Sequence, residues 1–337
     1  MDITWVWTEF AIAAALIGVA GAMLTRSADV IAAKTGMSRS WIGLILLAFV
    51  TSLPELVTGV SSVTVADVPN VAVGDVFGSC VLNLVLLSLL DFLHRRESVY
   101  RRAAQGHILS AGFGIVLIGF AGLNLLLRQD GLALSLGHVG LYTPVILVLY
   151  MVAVRSVFSY EHRPEVKEAR AAERQYEGKA LRHAILTYTA GAAVVTVAGA
   201  WLPFIAADMA EAMGWHRTFV GTLFVAGVTS LPEAVVTITA LRLGSVDLAI
   251  ANLLGSNLFD IGILAIDDLL FLKGPLLDHV SPAHSVSAMS AVIMSGIVII
   301  GVLYRPGARL FKAFGWIGLG LFVIYVLNTY VLYLMGD

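Results

Sequence analysis

Ten stretches of mostly apolar residues follow one another along the chain, near 5–24, 41–66, 70–92, 106–127, 138–157, 183–207, 217–241, 246–271, 283–304 and 312–334. Each is long enough to cross a bilayer as a helix, which takes about 20 such residues. The first is not a cleaved signal peptide: it opens with Asp2 and Glu9, lacks a basic start and shows no cleavage site before Arg26. The pattern predicts an all-α polytopic membrane protein of about ten transmembrane helices.

Composition narrows the function. Charged residues make up 13% of the 337 and hydrophobic ones 58%, with mean hydropathy +0.88, whereas soluble domains carry about 25% charged residues. One cysteine, Cys80, excludes a disulfide scaffold. A net charge of −2 and the absence of a lone basic helix argue against nucleic-acid binding. The partners expected are the bilayer and small ions. Oligomeric state is left open, a monomer being sufficient.

Lys and Arg give a direction. Of 21, 18 fall in or beside the odd-numbered connections between spans and 3 in or beside the even-numbered ones. Positive charge marks the cytoplasmic side, so both termini are expected outside. The mixed-sign connection near Ser156–Arg182 is then cytoplasmic and reads as a short solvated helix. The domain expectation is a first five-span unit over 1–157, a cytoplasmic linker over 158–182 and a second five-span unit over 183–337. Without a targeting signal or large regulatory domain, a prokaryotic plasma membrane is expected.

A repeat carries the most information. Ala48-Phe-Val-Thr-Ser-Leu-Pro-Glu-Leu-Val-Thr-Gly59 aligns with Ala226-Gly-Val-Thr-Ser-Leu-Pro-Glu-Ala-Val-Val-Thr237, with eight of twelve residues identical. Downstream, Ala72–Asn83 aligns with Ala249–Asp260, at nearly the same offset. The paired units are spans 2–3 and 7–8. With the termini outside, the two copies run in opposite directions through the membrane, and inverted repeats with interrupted helices mark secondary transporters.

The repeated residues suit a hard cation. An ionised carboxylate near the bilayer centre costs several kcal/mol unless paired, and no Lys or Arg lies in the interior of either span that carries Glu55 or Glu233. Pro54 and Pro232 each free the carbonyl four residues back, on Val50 and Val228. Such groups are tolerated at depth only where they line a cavity. Thr51 and Thr229 lie one turn before the glutamates. Ser79 and Asn83 share a helical face, as do Ser256 and Asp260. The pooled ligands Glu55, Asn83, Glu233, Asp260, Thr51, Ser79, Thr229 and Ser256 are all hard oxygens, which suit Ca²⁺ or Na⁺ rather than zinc or copper. Gly78 and Gly255 let helices approach closely. Asp75 shares the face of Ser79 and Asn83. If that face lines the cavity, a fourth acid there cannot stay ionised beside the other three without cations, and transport is expected to be sensitive to pH; the alternative is a solvated Asp75 that faces a neighbouring helix end.

The two blocks resemble the α repeats of the cation/calcium exchanger superfamily, most closely its sodium/calcium exchanger branch. The resemblance spans the ten-helix plan, in two inverted five-helix repeats, and is specific in 41–91 and 219–268. It implies secondary active antiport of Ca²⁺ against Na⁺ by alternating access, with no bound cofactor. It also implies a central ligand set of Glu55, Asn83, Glu233 and Asp260. Flanking sodium-type ligands would be Thr51, Ser79, Thr229, Ser230 and Ser256, with Ser52 and the Ala226 carbonyl nearby. The chain departs from the family pattern at Val50 and Val228, where glycine is usual, and at Asp75 and Cys80, where asparagine is usual; Ala251 replaces a glycine in the second copy. These departures bear on which ions are exchanged. Coupling to H⁺ or K⁺, or transport of another divalent ion, is the alternative.

The remaining residues read as structural. Asp91, Asp267 and Asp268 end spans 3 and 8 and are expected at the interface, as are His107 and His183 at span starts. Asp208 is expected near water at a membrane end, and Cys80 as a packing residue. The tryptophans lie near span ends, as in an aromatic belt. No G-x-S-x-G or H-E-x-x-H motif supports an enzyme. A channel with a carboxylate ring would also place acids at mid-membrane, but such rings come from identical subunits rather than from one inverted repeat. An intramembrane protease is disfavoured, since each glutamate sits beside proline and hydroxyls.

Overall fold

A computed structural model describes residues 3–35, 48–94, 97–101, 103–129, 134–161, 181–242, 246–306, 309–310 and 314–335. Its helices are α1 (Ile3–Thr35), α2 (Ala48–Thr51), α3 (Leu53–Thr64), α4 (Pro69–Leu93), α5 (Gly106–Gln129), α6 (Tyr142–Glu161), α7 (Leu181–Met213), α8 (Arg217–Thr229), α9 (Leu231–Arg242), α10 (Val246–Leu270), α11 (His284–Tyr304) and α12 (Trp316–Met335). Eight are long and apolar enough to cross a membrane, and α8–α9 is a ninth span bent by 45°. The tenth expected span is α2–α3, whose beginning lies outside the described residues, as does most of the 158–182 linker. Two-residue hairpins, Ser135–Leu136 with Val139–Gly140 and Arg309–Leu310 with Phe314–Gly315, precede α6 and α12.

Both broken spans fail at the same place. Pro54 and Pro232 have no N–H for the carbonyl four residues back, and their rings crowd it. The residue two places earlier leaves helical geometry, Ser52 at φ −88°, ψ 14° and Ser230 at φ −81°, ψ 10°. The α8 half also contains a π turn, Gly221–Val225, a feature common at functional sites.

Burial separates central from peripheral helices. In α10, 83% of the apolar window is buried and in α4, 67%, against 22–28% in α1, α6 and α12. The outer helices instead expose large apolar side chains such as Val19, Val148 and Leu334, as lipid-facing surfaces do. The π turn packs on α4 so closely that a Cβ on Gly78 would lie 2.5 Å from the Thr222 carbonyl oxygen.

Contacts near the helix ends define two faces. Trp7 meets Trp215, Phe219 meets Tyr333 and Lys273 pairs with Asp67 at 2.6 Å. Both chain ends therefore share a face with the connections after α3, α7 and α10. At the opposite face His107 meets Asp247 at 2.9 Å. α3 runs from its break towards the Asp67–Lys273 face and α9 away from it, so the two copies are inverted.

The inverted symmetry extends beyond the repeat visible in sequence. Asp247 Oδ1 accepts from the Ala104 N–H at 2.8 Å and lies beside His107. Residues 177 positions away do the same on the other face: Asn70 Oδ1 accepts from the Ser281 N–H at 2.7 Å and lies 3.1 Å from His284 Nε2. Asp91 accepts from Val99 N–H at 3.0 Å, and its counterpart Asp268 accepts from Leu276 N–H at 2.7 Å. Asp268 also takes bonds from Gly140 N–H, Tyr142 and Thr143.

These contacts correct the interfacial expectation. Asp91, Asp267, Asp268 and His107 are all buried. Asp91 and Asp268 satisfy the backbone of returning loops, which folds those loops over the helix ends, and His107 is covered through Asp247. Asp267 is treated below.

Because the nearest neighbour of Gly78 is backbone, Gly78→Ala should destabilise the protein by about 1–3 kcal/mol. Gly112, with nothing within 4 Å of an added Cβ, should accept Ala neutrally or gain slightly. Thermal unfolding in detergent checks the pair.

Candidate cation site

The helix breaks put one glutamate of each copy at the start of a new helix, facing α4 and α10. Glu55 and Glu233 are 1% and 0% exposed. Their hydrogen bonds cross between the copies: Ser52 Oγ donates to Glu233 Oε1 at 3.3 Å, and Ser230 Oγ to Glu55 Oε1 at 3.3 Å. Each glutamate also accepts within its own copy, Glu55 from Ser79 at 3.5 Å and Glu233 from Ser256 at 3.3 Å. Ser230 lies 3.1 Å from Ser79, and Thr51 lies 3.5 Å from Ser256. Serine is the hinge of each break, so the residue that ends one helix also binds the glutamate of the opposite copy.

α4 and α10 supply the other two sides. Asp260 is fully buried and within electrostatic reach of Glu55, Glu233 and Asp75. Asn83 is buried one turn beyond Ser79. The helices cross where Asn257 Nδ2 donates to the Cys80 carbonyl at 3.2 Å and Cys80 Sγ lies 3.9 Å from both the Asn257 carbonyl and Asp260 Oδ2. The thiol thus occupies the place of an amide in the mirrored contact and has a polar neighbour as well as a packing role. Asp75 is fully buried and accepts from Thr229 Oγ1 at 2.8 Å. Thr229 is also within reach of the Val225 and Ala226 carbonyls.

All eleven residues singled out in the sequence are buried, and the hydrogen bonds join Thr51, Ser52, Glu55, Asp75, Ser79, Thr229, Ser230, Glu233 and Ser256 into small clusters. Asn83 and Asp260 belong by position on α4 and α10. One oxygen each of Glu55, Asp75, Asn83, Glu233 and Asp260 is buried without a hydrogen-bond partner. An orphaned buried polar atom costs about 1–3 kcal/mol, and more if charged, so the arrangement has acceptor capacity for a cation. Among the described residues, no three His, Cys, Asp or Glu side chains converge closely enough to hold a metal ion by themselves. Hydroxyl and carbonyl oxygens would have to complete any shell, which suits flexible oxygen coordination.

Two residues lay outside the sequence reading of the site. Asn252, the counterpart of Asp75, is fully buried with both side-chain polar atoms unpartnered; the repeat alignment already pairs the two positions. Asp267 has no acidic counterpart, and its place at a span end concealed its burial.

An inverted pair of broken helices that converge two glutamates at mid-span defines a membrane transporter of the cation-exchange class. Comparison with known proteins gives the family. The family described as sodium/calcium exchanger protein matches residues 5–158 and 183–334, and the chain belongs to it. It is 23% identical over 312 residues to the inner membrane protein YrbG of Escherichia coli, covering 91% of each chain. It is 26% identical over 344 residues to the sodium/calcium exchanger MaX1 of Methanosarcina acetivorans, covering 91% of this chain and 93% of that one. In fold it is similar to the sodium-calcium exchanger NCX_Mj, with a TM-score of 0.64 and 22% identity over 97% of this chain and 99% of that one.

Ser52→Ala and Ser230→Ala each remove one donor from a buried glutamate of the opposite copy. Because the two contacts are mirrored, both variants should lower thermal stability by similar amounts, of order 1–3 kcal/mol. A loss confined to one variant would show that only one crossed bond matters.

Proposed function

We propose that this multi-pass membrane protein is a secondary active antiporter that exchanges Ca²⁺ for Na⁺ by alternating access. The crossed bonds of Ser52 to Glu233 and Ser230 to Glu55 carry the reading. They tie both copies to one shared site, so a cation bound there by Glu55, Glu233, Asp260 and Asn83 contacts both broken helices at once. Rocking one copy against the other then changes which face can reach the ion. Thr51, Ser79, Thr229, Ser230 and Ser256 would serve Na⁺, with Ser52 and Asp75 beside them. Membership of the sodium/calcium exchanger family supports the reading. Ca²⁺ and Na⁺ are the transported substrates, and the chemistry calls for no resident cofactor.

Exchange of Ca²⁺ against H⁺ is the second reading, favoured by one observation: Asp75 adds a carboxylate at the place where the other copy has Asn252. Uptake of ⁴⁵Ca²⁺ into proteoliposomes under an imposed Na⁺, K⁺ or H⁺ gradient separates these readings. A channel would show uptake with no counter-ion on the opposite side. Glu55→Gln and Glu233→Gln should each abolish nearly all exchange while the protein still inserts, because each removes a charge and a ligand from the shared site. Near-normal exchange by either variant would remove the acids from the transport cycle.

The same reading sets the protein in the plasma membrane with both termini outside, on the strength of the Lys and Arg distribution. A single cysteine near Arg170, in a Cys80→Ser background, should react in intact cells only with membrane-permeant thiol reagents. Ready labelling by an impermeant reagent would reverse the orientation.

A further inference from the structure

Asp267 is the one acid of the central region that the site above does not use. It is fully buried on α10, and neither carboxylate oxygen has a hydrogen-bond partner. Its carboxylate sits against α3 at Gly59, where an added Cβ would lie 2.5 Å from Oδ2. It is within electrostatic reach of Asp75 and Asp268. Asp268 is saturated by four donors, whereas Asp75 keeps one free oxygen.

The positions are ordered along the helices. Gly59 is one turn beyond Glu55 on α3, Asp75 one turn before Ser79 on α4, and Asp267 about two turns beyond Asp260 on α10. Each step runs from the glutamates towards the Asp67–Lys273 face, by about 6 Å for one turn and 10 Å for seven residues. The mirrored positions on the other side are Thr237, Asn252 and Leu90, none of them acidic. The extra carboxylates therefore lie on one half of the path only.

We propose that Asp75 and Asp267 form a second divalent-cation subsite, in series with the central one and on its Asp67–Lys273 side. Glycine at position 59 leaves the room that the Asp267 carboxylate occupies. Three of the four carboxylate oxygens of Asp75 and Asp267 are buried without a hydrogen-bond partner, and the Thr229 hydroxyl donates to the fourth. Charge supports double occupancy: Glu55, Asp75, Glu233, Asp260 and Asp267 together carry a formal −5 when ionised, which one divalent ion reduces only to −3 and two reduce to −1. The subsite rests on the antiport reading for its central neighbour; it shares Asp75 and the Thr229 hydroxyl with the residues set there beside the sodium ligands, and adds Asp267 on one side only.

Mn²⁺ is the probe. In the purified full-length protein, a Mn²⁺ titration followed by electron paramagnetic resonance should count two ions in the wild type, one in Asp267→Asn and one in Glu233→Gln. In proteoliposomes of known orientation, Asp267→Asn should raise the half-saturating Ca²⁺ concentration at the Asp67–Lys273 face at least three-fold and leave that at the opposite face unchanged. A wild-type count of one overturns the proposal even if the variant does not fold. So does an Asp267→Asn protein that matches wild type in count and sidedness, the result expected if Asp267 simply keeps a proton. Two ions in the wild type, one in Asp267→Asn and no counter-ion dependence of uptake would uphold the subsite and sink the antiport reading.

Discussion

The structure turns on how two buried carboxylates, Glu55 and Glu233, are held. Glu55 and Glu233 lie at the start of helices that begin inside the membrane, after a serine that has left helical geometry. Each serine hydroxyl reaches the glutamate of the opposite copy. The proline that breaks the span, the serine that forms the break and the glutamate that follows are consecutive or nearly so in both copies. Neither copy can satisfy its own glutamate through that serine. The site therefore forms only when the two inverted halves are docked, and docking geometry and ligand geometry are one constraint.

Much else follows from that docking. α4 and α10 must cross beside the glutamates, and α4 must also take α8 against its backbone. Gly78 meets the π turn of α8 at backbone distance, and the polar pair Cys80 and Asn257 closes the crossing. The ends of these helices are fixed by matched contacts on opposite faces: Asp247 with Ala104 and His107, and Asn70 with Ser281 and His284. One partner in these pairs is a carboxylate and the other an amide. The halves share a frame but not a charge distribution.

What the sequence revealed and what it hid have a common physical cause. Span number, direction of the repeat and the two TSLPE segments are local: apolar runs, prolines and carboxylates without nearby cations declare themselves within about 20 residues. Several contacts that close the helix ends join residues more than 100 positions apart, such as His107 with Asp247 and Asn70 with His284, in segments with no visible repeat. Asp91 and Asp268 look like span-end acids meeting water because hydropathy records only distance along a helix. The returning loops that cover them, through Val99 and Leu276, add no hydrophobic signal. Asp75 shows the opposite case: its helical phase with Ser79 is readable from spacing alone, and in the structure it accepts from Thr229 of the other copy.

Asymmetry within the symmetric frame distinguishes this chain from a perfect duplication. Asp75 faces Asn252 across the pseudo-axis, Asp267 faces Leu90, and Gly59 faces Thr237. All three differences put negative charge, or room for it, on the same side of the glutamates. A charge in low dielectric acts strongly on its neighbours, since Coulomb energies scale inversely with the local dielectric constant. On the antiport reading, a cation leaving the centre towards the Asp67–Lys273 face would meet further carboxylates, whereas one leaving the other way would meet the uncharged Asn252 and Thr237. Two copies of one unit, inverted and docked through the same serines, thus surround the glutamates with different charge on the two sides.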